Sequence, residues 1–181
     1  IRIHYFKPGA PGFDARYSAI YRRYRYKISD NFAQKDPQQM RFVLNLTYAL
    51  DPVAMNEAAQ LLLGLNDFAS FCKSRAGATT IRDLKSIKVR RNAQNIIEIE
   101  LKADAFCHNM VRSIVGALIA VGAGKANQAD LKRTLERAKR VETYKTVEPK
   151  GLTLIEIGYP ADSRLGIQAE RSRARRTLDE A

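Results

Sequence analysis

Two scarce residue types close off whole classes of chemistry. The 181-residue chain holds only two histidines, His4 and His108, and two cysteines, Cys72 and Cys107. None of the four has metal-ligand spacing, so no metal site is expected. Two cysteines also exclude a disulfide mini-scaffold. The expected state is a pair of reduced thiols in a cytoplasmic protein, with Cys107 packed as a small hydrophobe and a disulfide as the lesser alternative. No apolar run reaches the length needed to span a bilayer; the longest, Ser113 to Gly124, is interrupted by Gly116 and Gly122. Residues Ile1 to Phe6 carry no signal-peptide pattern, lack an initiator Met and read as strand, so a fragment of a longer protein is expected. Acidic residues are scarce: 19 Asp and Glu against 31 Lys and Arg, a formal net charge of +12. That excess points to a polyanionic partner, nucleic acid first.

What is present is ordinary for a folded domain. Hydrophobic residues make up 45% and charged residues 28%, which excludes wholesale disorder and collagen. Pro8, Gly9, Pro11 and Gly12 mark an early loop. Ala15 to Ile28 alternates with period 2 and reads as a strand. Asp51 and Pro52 form an N-cap and N1 pair, opening a helix with Met55, Ala58, Ala59, Leu62 and Leu63 on one stripe. Gly64 is expected to end it, with one more helical turn over Leu65 to Phe71. Ile81 to Arg91 and Asn95 to Ala103 read as a hairpin turning at Asn92 to Gln94. His108 to Val121 and Asp130 to Arg140 read as helices, and Gly151 to Tyr159 as a last strand stopped by Pro160. From residue 161 on, the chain is Arg-rich without apolar period and is expected to be a flexible basic tail. The order implies an α+β fold: a largely antiparallel sheet with helices packed on one face.

Two segments carry the chemistry. Between Ala15 and Lys27 stand Arg16, Arg22, Arg23, Arg25 and Lys27 with no acid among them. On a strand, Arg23, Arg25 and Lys27 share one face, and Arg22, Tyr24 and Tyr26 the other. Cations neutralise phosphates while rings stack on unpaired bases, so RNA contact is one reading; a solvated edge strand kept soluble by charge is the other. Lys73 to Arg91 adds seven cations against Asp83 alone, either more RNA surface or wet strand faces. The second segment is Asn109 to Gly124, where Arg112 is the sole charged residue. So isolated a guanidinium is either buried and paired, held at a cleft wall, or snorkelling to water. No carboxylate nearby in sequence stands out as its mate, Glu100 and Asp104 lying on a separate element. Gly122-Ala123-Gly124-Lys125 is no phosphate loop, since Ile119 and Ala126 occupy the required Gly and Ser/Thr positions; a helix C-cap fits better.

These segments together resemble one family. Phe13-Asp14-Ala15-Arg16-Tyr17-Ser18 with Arg22-Arg23-Tyr24-Arg25-Tyr26, then Leu63 to Phe71, then Ala105-Phe106 with His108-Asn109-Met110-Val111-Arg112-Ser113-Ile114-Val115-Gly116, then Val121-Gly122-Ala123-Gly124, and last Gly151-Leu152-Thr153-Leu154 to Tyr159-Pro160 are similar, in this order, to stretches of the tRNA pseudouridine synthase A family. The resemblance implies a cofactor-free isomerase that converts uridine to pseudouridine in the anticodon stem-loop of tRNA, a homodimer and a cytoplasmic location with no membrane partner. It implies that Tyr24 stacks on the target base with Tyr26 beside it, that Leu152 and Leu154 line the pocket, and that Arg112 pairs with the nucleophilic Asp. From their charge, and not from the resemblance, Arg16, Arg22, Arg23, Arg25 and Lys27 are the candidate RNA contacts; His108, beside the Arg112 helix, is a further candidate for a phosphate, with a capping or surface role as its first reading. The family's nucleophile sits in a G-R-T-D-A-G-V-H motif that this chain does not contain, so residues 1–160 correspond to the C-terminal portion of a catalytic domain, 161–181 to a tail, and the chain alone is expected to be inactive. Asn109 stands where a second His is common, and Cys107 lies inside the motif. A non-catalytic RNA-binding module of the same fold is the alternative.

Overall fold

The computed structural model describes residues 2–73, 75, 77–139, 144–174 and 177–178. The architecture is α+β, a mostly antiparallel open sheet. Its strands are β1 (Tyr21–Ser29), β2 (Leu44–Asn45), β3 (Gly64–Asp67), β4 (Ile81–Arg91), β5 (Ile97–Ala103) and β6 (Leu152–Gly158). Along the sheet they run β2-β1-β5-β4-β3, with β6 also paired to β1. The helices are α1 (Pro52–Gln60), α2 (Met110–Gly122), α3 (Gln128–Glu136) and α4 (Leu165–Arg173).

Local sequence explains most elements. Asp51 caps α1 by accepting from the N–H groups of Val53 and Ala54, with Pro52 next in line. Asn127 and Asp130 close a capping box at the start of α3. The β4–β5 hairpin turns where Asn92 Oδ1 accepts from the N–H groups of Gln94 and Ile96 at 3.0 Å each, with Asn95 in the left-handed region at φ 58°. Helix α2 buries nine residues, Met110 to Val121, on most of its circumference, as a helix enclosed on several sides must. One side meets the loop before β6 so closely that a Cβ on Gly116 would lie 2.0 Å from the Lys145 carbonyl oxygen. The core joins α1 and α2 to Tyr26 and Ile28 of β1, Ile87 of β4 and Ile99 and Leu101 of β5.

Several expectations are corrected. Leu65 to Phe71 is not a continued helix: Gly64, at φ +89°, reverses the chain into β3, which pairs with β4, and only Ala69–Phe71 forms a 3-10 turn. The first strand begins at Tyr21 rather than Ala15 because Asp14 Oδ1 accepts from the N–H groups of Arg16 and Tyr17, holding a turn there. Residues 2–6 form no strand and are exposed. The third helix ends at Glu136, with Arg137 as its C-cap, short of the expected Arg140; Arg140 itself, and the tail at 175–176 and 179–181, lie outside the described residues. Within the tail, α4 is folded and docked, with Leu165 and Ala169 buried. The thiols are not free: Cys72 and Cys107 form a disulfide with Cα atoms 5.8 Å apart, an ordinary bridging distance. The 3-10 turn brings Cys72 to the start of α2 across a separation of 35 residues, which spacing alone cannot foretell.

Beyond one end of β1, the Arg91 guanidinium clamps Asp30, with both nitrogen–oxygen distances 2.8 Å. Asp30 also accepts from the N–H groups of Leu50 and Phe32. Burial works to raise its carboxyl, but Arg91 and these donors outweigh it and hold the group below its ordinary 3.8.

Candidate active site

The core strand of the sheet positions the site. β1 pairs with β5 along one side and with β6 along the other, in registers Tyr24↔Leu154 and Tyr26↔Leu152. The edge-strand alternative is thereby overturned. Directly opposed residues of an antiparallel pair project to the same face, so the two tyrosines and two leucines form one block. Its members differ in access. Leu154 is 44% exposed, Tyr24 and Leu152 are partly buried against the core, and Tyr26 is fully enclosed at 0%. Tyr26 is therefore a correction: its ring has no open face for a base and supports the block from below. Its hydroxyl donates to the Glu148 carbonyl at 2.6 Å, and burial pushes its phenol well above the ordinary tyrosine value, with the charge of Arg112 acting the other way. Gly151 permits this seat, because a Cβ there would lie 2.8 Å from the Tyr26 ring.

Arg112 stands in the first turn of α2 and is half-buried. Its Nε donates to the Val147 carbonyl at 2.6 Å and its Nη1 approaches Asn109 Oδ1 at 3.4 Å. Consecutive carbonyls, Val147 and Glu148, thus hold the guanidinium and the Tyr26 phenol. The side chain is tethered to the backbone of the loop before β6 rather than extended to water. Among the described residues no carboxylate makes a salt bridge with it. Glu100 is taken by Arg25 at 2.6 Å, and Asp104 Oδ1 accepts from the Asp83 N–H at 2.9 Å.

Tyr24 opens onto a cleft of about 570 Å³. The edge of the ring meets Phe106 at 88°, centroids 5.1 Å apart, a favourable aromatic arrangement. Arg16 and Arg22, two of the candidate RNA contacts, share the lining, and Arg82 and Arg171 join them. Arg22 is braced by the carbonyls of Asp104, at 2.9 Å, and Arg16. Arg112, Leu152 and Leu154 do not line this cleft among the described residues; Tyr24 is the member common to the block and the cleft. Phe106 went unselected in the sequence although it lies within the motif before α2. Arg171 falls in the segment expected to be a flexible tail, and only docking of α4 gives it a place.

The other face of β1 behaves differently. Arg23 pairs with Glu156 at 2.6 Å and Arg25 with Glu100 at 2.6 Å. Lys27 stands in register with Glu98. The local count of cations without acids missed carboxylates that neighbouring strands supply. The Tyr21 hydroxyl bonds Glu156, and this bond, with Arg23 and Lys102, holds the carboxyl below its ordinary range. His108 is exposed just before α2, and its carbonyl accepts from the Lys73 N–H at 2.9 Å. No group of metal-ligating side chains is found among the described residues, and none of the helices described is long and apolar enough to cross a membrane.

Comparison with known proteins places these residues in a family. A family model described as tRNA pseudouridine synthase matches residues 58–160. A tRNA pseudouridine synthase A of Leifsonia xyli is 47% identical over 167 residues, covering 92% of this chain and 58% of that protein. Proteins of the same name from Streptomyces avermitilis and Cutibacterium acnes are 44% and 42% identical, over 100% and 94% of this chain and 64% and 62% of their own lengths. The chain therefore spans about three-fifths of the length of these curated relatives. With more than half of its residues inside the family model, and the Arg112 helix among them, the chain belongs to the tRNA pseudouridine synthase A family.

Proposed function

We propose that this chain is the part of a tRNA pseudouridine synthase that holds the target uridine and orients a nucleophilic Asp carried on another segment of the enzyme. The observation that carries the reading is the tethered, half-buried Arg112 without a carboxylate partner among the described residues. A cation taken partly out of water with only neutral acceptors is incompletely compensated, and an incoming carboxylate would supply the opposite charge. In return the guanidinium would keep the carboxylate ionised and aimed. Tyr24, backed by Phe106, supplies a ring for a base withdrawn from its stack. The reaction breaks the bond from ribose C1′ to uracil N1 and forms one from C1′ to C5. The C5 proton leaves and N1 gains one, so atoms balance without a cofactor. Tyr26 and Leu152 form the floor, and Leu154 the exposed margin. The same reading carries the anticodon stem-loop as substrate, a homodimer that grips one tRNA, and a cytoplasmic location.

The test is pseudouridine formation on a tRNA transcript by the full-length enzyme containing this chain. Wild type forms pseudouridine, Arg112→Ala does not, and the 181-residue chain alone is inactive. Turnover by the isolated chain, or near-normal turnover by Arg112→Ala, refutes the assignment. Tight tRNA binding by a full-length wild type that forms no pseudouridine supports a non-catalytic RNA-binding module instead.

A further inference from the structure

Helix α4 is docked firmly enough to present a surface. Ser18 Oγ donates to the Leu165 carbonyl at 2.9 Å, and a Cβ on Gly12 would lie 2.9 Å from Gly166 Cα, so helix and loop touch backbone to backbone. At the other end Arg173 pairs with Asp14 at 3.2 Å and lies over the Tyr17 ring at 5.0 Å. Pinned at both ends to the 12–18 loop, α4 contributes Gln168, Arg171 and Ser172 to the cleft that Tyr24 and Phe106 also line. Arg171 is exposed and enters no ion pair among the described residues. Its neighbours differ: Lys85 is held by Asp83 at 2.7 Å and Arg173 by Asp14. Gln168 Nε2 donates to Ser172 Oγ at 2.9 Å, which leaves the serine proton free to be donated. Helix α4 lies beyond residue 160, where the match to the family model ends.

We propose that α4 is an RNA-gripping arm in which Arg171, with Ser172 beside it, holds a backbone phosphate of the strand that enters the cleft next to Tyr24. The proposal rests on the function inferred above. A phosphodiester offers two charged oxygens, and a guanidinium matches them with two parallel donors. Such a contact positions the strand without reading its sequence, and it releases counterions, so its contribution falls as salt rises.

The experiment measures binding of a tRNA transcript to the full-length enzyme across a salt series, together with kcat and KM. Arg171→Ala is expected to weaken binding about 3–10-fold at low salt and to lower the slope of log affinity against log salt by about one. KM rises and kcat stays. Arg171→Lys keeps most of the slope, and Arg171→Glu weakens binding further. Unchanged affinity and slope in both Arg171→Ala and Arg171→Glu, in an enzyme that still forms pseudouridine, overturns the arm and leaves the inferred function standing. Wild type that binds tRNA without forming pseudouridine overturns the function, and the Arg171 slope still decides the arm. No binding by wild type overturns both.

Discussion

The two faces of β1 carry similar side chains and reach opposite states. On one face Arg23 and Arg25 meet Glu156 and Glu100 across the sheet. On the other Arg22 and Tyr24 open onto a cleft, and Arg112, which is not part of that lining, has no carboxylate mate among the described residues. The difference lies in what the neighbouring strands bring. Alternation along β5 sends Glu98 and Glu100 to one face and Ile99 and Leu101 to the other. A cation's value to a polyanion therefore depends less on its presence in a strand than on the residue registered opposite.

The largest effects should fall on the cleft side. In the full-length enzyme, Arg112→Ala and Tyr24→Ala are each expected to abolish pseudouridine formation. The loss of stacking in Tyr24→Ala should also weaken tRNA binding by about 1–3 kcal/mol. Near-normal turnover in either variant would erase the distinction between the two faces.

The Asp30–Arg91 clamp supplies a third category, a buried pair at the end of the same strand. Asp30→Ala strands Arg91 and should cost about 3–5 kcal/mol in denaturant unfolding. The sign of its pH dependence follows from a carboxyl held below 3.8. The stabilisation is present above the ordinary carboxylate value and is lost as pH falls through the lower folded value. Stability of wild type should therefore drop faster than that of Asp30→Ala as a urea series is taken into that acidic window.

Packing comes next in size. Gly116→Ala places a methyl against the Lys145 carbonyl and should cost about 1–3 kcal/mol. Because the displaced loop carries the Val147 carbonyl that holds Arg112, turnover should fall by more than stability alone explains. Equal losses would separate the loop from the site. The smallest effect belongs to the paired face. Arg25→Gln should change stability by about 0–1 kcal/mol and tRNA affinity by less than twofold. A steep loss of affinity there would restore that face as an RNA surface.

Much of the fold was legible because its determinants are local. The Asp51 cap, the period of β4 and β5, and the apolar circumference of α2 each depend on residues within a turn or two. Most misreadings occurred where a distant partner decides, the start of β1, set by the local Asp14 turn, being the exception. Residues 64–67 extend because β4 offers a ladder, and α4 is ordered by Gly12, Ser18 and Asp14, about 150 positions away. At the site, Tyr24 and Arg112 were visible as an aromatic among cations and a charge in an apolar helix. The burial of Tyr26 was not, since alternation assigns a face but does not say how deeply that face is covered.

By itself the sequence determined most of the element types, the cationic surplus and the isolation of Arg112, because periodicity, capping and net charge are properties of neighbours along a chain. The tertiary structure decided which cations are neutralised, which tyrosine keeps an open ring, and which segment walls the cleft. Those outcomes depend on register and docking, which bring together residues whose separation in sequence carries no information about their distance in space.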